Sequence, residues 1–243
     1  MNTRKPSRLH YAWVILAVAL LVVFAALGLA RFAYGLVLPA MQHELGLDNK
    51  EAGLLASANF IGYMAMTLVG GIAATHFGPR YVISIGLALA GVSMIMTGLV
   101  QDFVSLCVWR MLSGMGSGLS NIPVIGLLAM WFGTRRIGMA TGIVVTGPSF
   151  ALIGLGILVP WTLQLFGGEG WRICWIAFGV TALVIAAAGY ALLVHHPEEK
   201  GLQAIAANPP PPPSSPPESQ LGRPNWKAIY RSSSVWHLGL LFG

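Results

Sequence analysis

From Phe103 to Trp131 the chain runs through a long stretch of almost wholly apolar or small residues, with one charge, Arg110, inside it. About 20 such residues suffice to cross a bilayer as one helix. A charge at that depth is costly, so it faces a protein interior or a water-filled cavity, or snorkels to an interface. After Arg110 come Ser113, Gly114, Ser117, Gly118 and Asn121, at spacings of three, four, seven, eight and eleven. These spacings put a small, polar stripe on one helix face and Leu, Met and Val on the other. Small residues let helices approach closely in lipid, and Ser and Asn bond across the contact. Two readings follow. The stripe is the wall of a polar cavity in a helical bundle, or it is a close-packed helix pair with one snorkelling arginine.

Five further apolar runs accompany it. The spans are read as about Tyr11 to Pro39, Glu51 to Thr75, Arg80 to Val100, Phe103 to Trp131, Ile137 to Phe166 and Trp171 to Val194. Each is near or above the length a spanning helix needs. With 56% hydrophobic and 9% charged residues, the chain is far from the roughly 25% charge of soluble domains. The reading is an all-α integral membrane protein. The net charge of +6 does not point to nucleic acid, because the basic residues are scattered between apolar runs. Cys107 and Cys174 both fall in apolar segments, without metal-type spacing, and are read as buried packing residues. No metal, cofactor or catalytic group is expected.

Arginine and lysine set the orientation. Arg4, Lys5 and Arg8 precede the first span, Arg80 follows the second, and Arg135 and Arg136 follow the fourth. Lys200, Arg223, Lys227 and Arg231 follow the sixth, whereas the other side holds only Lys50 and Arg172. The positive-inside rule then puts both ends of the bundle in the cytoplasm of a multi-pass protein of the cell membrane. The expected parts are a cytoplasmic N-terminus at 1–10, a bundle at 11–195, a Pro-rich cytoplasmic linker at 196–234 and the truncated start of a seventh span at 235–243. The linker contains Pro209 to Pro213 and reads as a flexible or polyproline-like spacer. The last nine residues, VWHLGLLFG, read as the first turns of a span, so the chain is expected to be a fragment.

An internal repeat is faintly visible. Spans one to three and four to six are both triplets, and an odd number inverts the second. Gly53 and Gly62 in span two have the same separation as Gly138 and Gly147 in span five. Span one carries Arg31 and span four Arg110. Arg31 lies eight residues before Pro39, and Arg110 eight residues after Asp102. At 1.5 Å per residue, both sit roughly 12 Å below the outer surface. Asn59 is at a similar depth. No Asp or Glu falls deep in any span. Two cations at one depth repel unless an anion or water serves them. One reading is a carboxylate site with arginine as a bidentate donor. The other is that each arginine pairs with backbone carbonyls or snorkels outward. Tyr34, one turn from Arg31, shares the site or anchors at the interface.

The loop after span two, GGIAATHFGPRYVISIG, needs a tight turn, which Gly78 and Pro79 supply. It resembles the signature loop of the major facilitator superfamily, with Gly71, Ala74, Gly78 and Arg80 on matching positions and Thr75 where that family has Asp. Arg110-x-x-x-Gly114-x-Gly116-x-Gly118 is similar to the family's second motif, and Gly147-Pro148 to the core of a third. RFAYGLVLPAM and GWRICWI look like branches that include oxalate/formate- and monocarboxylate-type carriers.

The resemblance implies a six-transmembrane-helix bundle in a 3+3 inverted repeat, forming the N-terminal half of a twelve-helix carrier. Its partners would be the lipid bilayer, the missing C-terminal six-helix half and a small solute. The implied function is secondary transport by alternating access, with a small organic anion such as a carboxylate as substrate. The implied substrate residues are Arg31, Tyr34, Asn59, Arg110 and Asn121. Gly71, Thr75, Gly78 and Arg80 would form the gating loop, and Gly114, Gly118, Gly147 and Pro148 the helix packing. The alternatives are a carrier of neutral or cationic solutes, or a non-transporting sensor or scaffold on the same fold. An intramembrane protease would need Ser117 and His195 to meet, and they are expected at different depths.

Overall fold

A computed structural model describes residues 10–195, 197–200 and 205. Residues 1–9, most of the Pro-rich linker and the VWHLGLLFG stretch lie outside the described residues. Every regular element among those described is helical. Helix α1 is Ala12–Val23, and it passes through a π-helical stretch, Phe24–Phe32, into α2, Tyr34–Leu45. Helices α3, Asn49–Phe77, and α4, Pro79–Leu99, follow. The long α5, Phe103–Val145, leads to α6, Gly147–Phe166, and α7, Gly170–Leu192.

Five stretches are long and apolar enough to cross a membrane: Ala12–Leu45, Asn49–Phe77, Pro79–Leu99, Phe103–Gly133 and Arg135–Leu192. The last has 58 residues. As one straight helix it would reach about 87 Å, nearly three times a hydrocarbon core. It is interrupted instead at Gly167, where φ is 57° and a short 3-10 turn, Gly167–Glu169, precedes α7. Glycine adopts that backbone without a Cβ clash.

The first span does not end at Pro39. Proline has no N–H to donate and would be expected to stop a helix, yet α2 continues to Leu45 and closes on a left-handed Gly46. Proline is tolerated inside membrane helices because neighbouring groups re-satisfy the freed backbone. α5 likewise continues past Trp131, with a bend at Gly133, whose φ of 56° and ψ of 172° break the helix.

The helix starts are built by sequence. Asp48 accepts from the Glu51 backbone N–H at 2.6 Å, and Glu51 reaches back to the Asp48 N–H at 3.0 Å. This reciprocal pair satisfies two otherwise orphaned donors. Asp48→Ala is expected to lower stability in detergent by about 1 kcal/mol, measured as a fall in the unfolding midpoint. Asp102 caps α5 by accepting from the Ser105 N–H at 2.8 Å. That backbone donor, followed by the Ser105 side chain, holds the Asp102 carboxyl below its ordinary value. Its contribution is therefore complete above an ordinary carboxylate pKa near ~4 and is lost as the pH falls through the lowered folded value. Amide exchange in the first turn of α5 should accelerate at acid pH; an unchanged rate would contradict this.

The core is close-packed helix on helix. A Cβ at Gly118 would strike the Tyr63 carbonyl and one at Gly114 the Asn59 carbonyl, so α3 and α5 touch backbone to backbone. A Cβ at Gly147 would lie 2.9 Å from the Leu20 carbonyl oxygen. Pro148 is buried beside it at the start of α6. Removing the Cβ is what permits such approach, and in lipid that approach yields the dispersion contact that holds helices together. The small-residue stripe therefore does pack a helix pair, and the contact continues to the level of Arg110, where a Cβ at Gly62 would strike the Met111 carbonyl.

Candidate functional site

Four of the five expected substrate residues meet. Arg31, Tyr34, Asn59 and Arg110 line one cavity of about 600 Å³, with Phe32, Ala56, Ser57, Phe60 and Ile61. The π-helical stretch brings Arg31 to it and α2 brings Tyr34. Asn59 comes from α3 and Arg110 from α5.

Arg110 is 1% exposed and does not snorkel. Its Nη1 donates to the Ala30 carbonyl at 3.0 Å, which places it against the residue before Arg31. Its guanidinium carbon lies 4.6 Å from the Tyr34 ring centroid and 4.8 Å from that of Trp175. Its Nε is buried without a partner. Asn59 fixes the helix turn beneath it, donating from Nδ2 to the Arg110 carbonyl at 3.0 Å. Such ring contacts hold a buried cation without neutralising it.

Arg31 is half-buried. Its guanidinium carbon lies 4.9 Å from both the Phe60 and Tyr63 ring centroids. Neither arginine is ion-paired with a carboxylate among the described residues. Tyr34 is not an interface anchor: it is 6% exposed, and its hydroxyl donates to the Ala52 carbonyl at 2.8 Å.

The π-helical stretch takes a partner from another helix. The Ala33 N–H bonds to the Gly28 carbonyl at 2.9 Å, five residues back. The wider turn leaves the Ala30 carbonyl for Arg110, an example of a side chain entering the helix ladder. A Cβ at Gly28 would clash with Ala151 of α6, which fixes the stretch from its other side.

Asn121 is not in this cavity. It donates to the Tyr63 hydroxyl at 3.0 Å and lines a separate space of about 90 Å³. Three residues that sequence reasoning did not single out, Phe60, Tyr63 and Trp175, hold the arginines. An intramembrane arginine with aromatic residues close in sequence was the available signal, but only for Phe32, next to Arg31, and Tyr34, one turn on.

The loop residues Gly71, Thr75 and Gly78 line another cavity, of about 800 Å³, with His76, His195 and Glu199 among its walls. Gly78 has φ 85°, and a Cβ there would meet the His195 ring. Thr75 donates to Ile72 of its own helix at 2.7 Å. Arg80 is placed elsewhere, 4.7 Å from the Tyr190 ring centroid. Ser117 and His195 do not meet: Ser117 donates to the Ser113 carbonyl at 2.9 Å, while His195 stacks on Tyr81 at 5.5 Å.

At the other end of α4 and α7, Arg172 pairs with Glu44 at 3.0 Å and donates to the Val100 carbonyl at 2.8 Å. Trp171 Nε1 donates to the same carboxylate at 2.5 Å. This cluster ties the ends of α2, α4 and α7 together.

The sequence profile of the Major Facilitator Superfamily matches residues 20–243. A probable sulfoacetate transporter of Cupriavidus necator is 31% identical over 177 residues, 73% of this chain and 40% of that protein. The hexuronate transporter of Bacillus subtilis is 26% identical, over 62% of this chain and 38% of that protein. The 4-hydroxybenzoate transporter of Acinetobacter baylyi is 25% identical, over 72% and 38% respectively. The chain thus spans less than half the length of these relatives. The fold is similar to that of the proton:xylose symporter XylE, with a TM-score of 0.66, 16% identity and coverage of 79% of this chain and 47% of that one. A bacterial homolog of the human lysosomal transporter Spinster, in an inward-facing and occupied conformation, aligns with a TM-score of 0.65 at 17% identity, over 78% of this chain and 45% of that one.

Proposed function

The chain belongs to the Major Facilitator Superfamily, a family of multi-pass membrane transporters and not of enzymes, and from that premise we propose that it serves a secondary carrier of small organic anions. Residues 11–195 form a bundle of six spans in two inverted triplets, with residues 1–10 and the linker at 196–234 in the cytoplasm. The bundle works against a second six-helix half, and the two rock about a site near the midplane. Arg31, Tyr34, Asn59 and Arg110 form this bundle's share of the site, with Asn121 acting indirectly through Tyr63. The loop with Gly71, Thr75, Gly78 and Arg80 contributes to gating. Thr75 carries no charge there, so its contribution is steric or by hydrogen bond.

The observation that carries the reading is the pair Arg31 and Arg110 on one cavity with no carboxylate partner among the described residues. Two unpaired cations in a low-dielectric space favour an anionic occupant, and guanidinium matches a carboxylate in a bidentate fork. The relatives named as transporters of sulfoacetate, hexuronate and 4-hydroxybenzoate are consistent with it.

The test is uptake by the full-length carrier in proteoliposomes. Carboxylates are expected to enter and to compete with one another, while their neutral amides do neither. Uptake of amides in preference to carboxylates would replace this reading with a carrier of neutral solutes. The orientation has its own test: a cysteine at Ser214 should resist membrane-impermeant thiol reagents in right-side-out vesicles, and rapid labelling would contradict it.

A further inference from the structure

Most of the neutral donors that line the arginine cavity are already spent. Asn59 Nδ2 donates to the Arg110 carbonyl at 3.0 Å, Ser57 to the Gly53 carbonyl at 2.8 Å, and the Tyr34 hydroxyl to the Ala52 carbonyl at 2.8 Å. The two guanidinium groups also rest on rings. Phe60 and Tyr63 each carry the Arg31 guanidinium at 4.9 Å, and Tyr34 and Trp175 carry that of Arg110 at 4.6 and 4.8 Å. The charged donors on the cavity are the N–H edges of two guanidinium groups. Arg110 spends Nη1 on Ala30, and its buried Nε has no partner.

Edges of this kind take oxyanionic groups, in a fork. The number of such groups follows from charge. A bound monoanion offsets one guanidinium and leaves the other uncompensated; a dianion offsets both. Resting on the anion reading above, we infer that this cavity selects a short dianion, with one acidic group on each arginine. Cargo with one charge is disfavoured by the same arrangement.

The probes are malonate, succinate and glutarate, each beside its monoamide and diamide, with benzoate as an aromatic monoanion. Binding to the full-length carrier is read by calorimetry at neutral pH. The expected result is that at least one dicarboxylate binds roughly tenfold or more tightly than its own monoamide and more tightly than benzoate, while the diamides do not bind. Arg31→Gln, at the more exposed arginine, should bring dicarboxylate and monoamide to within about twofold of each other, because one cation then remains. If the dicarboxylates and monoamides bind equally to the parent, or benzoate binds best, the dianion inference is overturned and the anion reading stands. If the diamides bind as well as the acids, both fall. Failure of all the dicarboxylates to bind also overturns the dianion inference.

Discussion

Gly114→Ala is expected to remove most of the folded protein from the membrane. The added Cβ would meet the backbone carbonyl of Asn59 on α3. A backbone atom cannot rotate aside as a flexible side chain does, so α3 and α5 must part along their length. Overpacking of this kind costs about 1–3 kcal/mol, and more when backbone has to move. Asn59 would also be carried away from the Arg110 carbonyl that it bonds at 3.0 Å, so the cavity would lose its floor together with the packing. The matched control is Gly154→Ala on α6, where nothing lies within 4 Å of the new Cβ. That change should be neutral or slightly stabilising, since alanine is the better helix former by about 0.5–1 kcal/mol. Yield of monodisperse protein after detergent extraction reads both. Equal yields from the two variants would contradict the close approach.

Arg110→Ala is expected to weaken carboxylate binding by the full-length carrier roughly ten- to a hundred-fold, the equivalent of losing one charge-assisted bond of about 1.5–3 kcal/mol. Arg110→Lys should recover part of this, because it keeps the charge and loses the planar fork. The residue also has a structural share: it donates to Ala30 at 3.0 Å and fills space between Tyr34 and Trp175. Arg110→Met separates the two roles, since it restores much of the volume without charge. If methionine restores both yield and carboxylate affinity, the arginine is structural. If it restores yield alone, the charge serves the ligand.

Much of this was legible because membrane helices obey simple arithmetic. Apolar runs gave most helix starts to within a few residues, although the first stretch runs on to Leu45 and the fifth and sixth runs fall in one stretch, Arg135–Leu192; counting 1.5 Å per residue from opposite ends brought Arg31 and Arg110 to one level, and the structure joins them through the Ala30 carbonyl. The misread positions have physical causes. Pro39 resembled a stop, but a membrane helix can run through proline when its neighbours supply partners, and α2 does. Asn121 was placed with Arg110 because eleven residues is a whole number of turns. Three turns also move it about 16 Å along the axis, so a shared face is not a shared site. The Tyr34 hydroxyl could not be assigned from spacing, since its acceptor, Ala52, lies across a helix hairpin. Trp175 is a neighbour of Arg110 only through tertiary folding of α7. The π-helical turn left no mark in the sequence, because its cause, the guanidinium on Ala30, comes from a different helix.

Whether Arg31 and Arg110 serve one anion together is measured directly by a double-substitution cycle. Succinate is titrated into the full-length carrier, into Arg31→Ala, into Arg110→Ala and into the doubly substituted protein, each first verified as folded. The predicted result is a loss of roughly tenfold or more in each single variant, with a coupling between them above about 0.5 kcal/mol. A folded double variant that binds succinate as the parent does would contradict it.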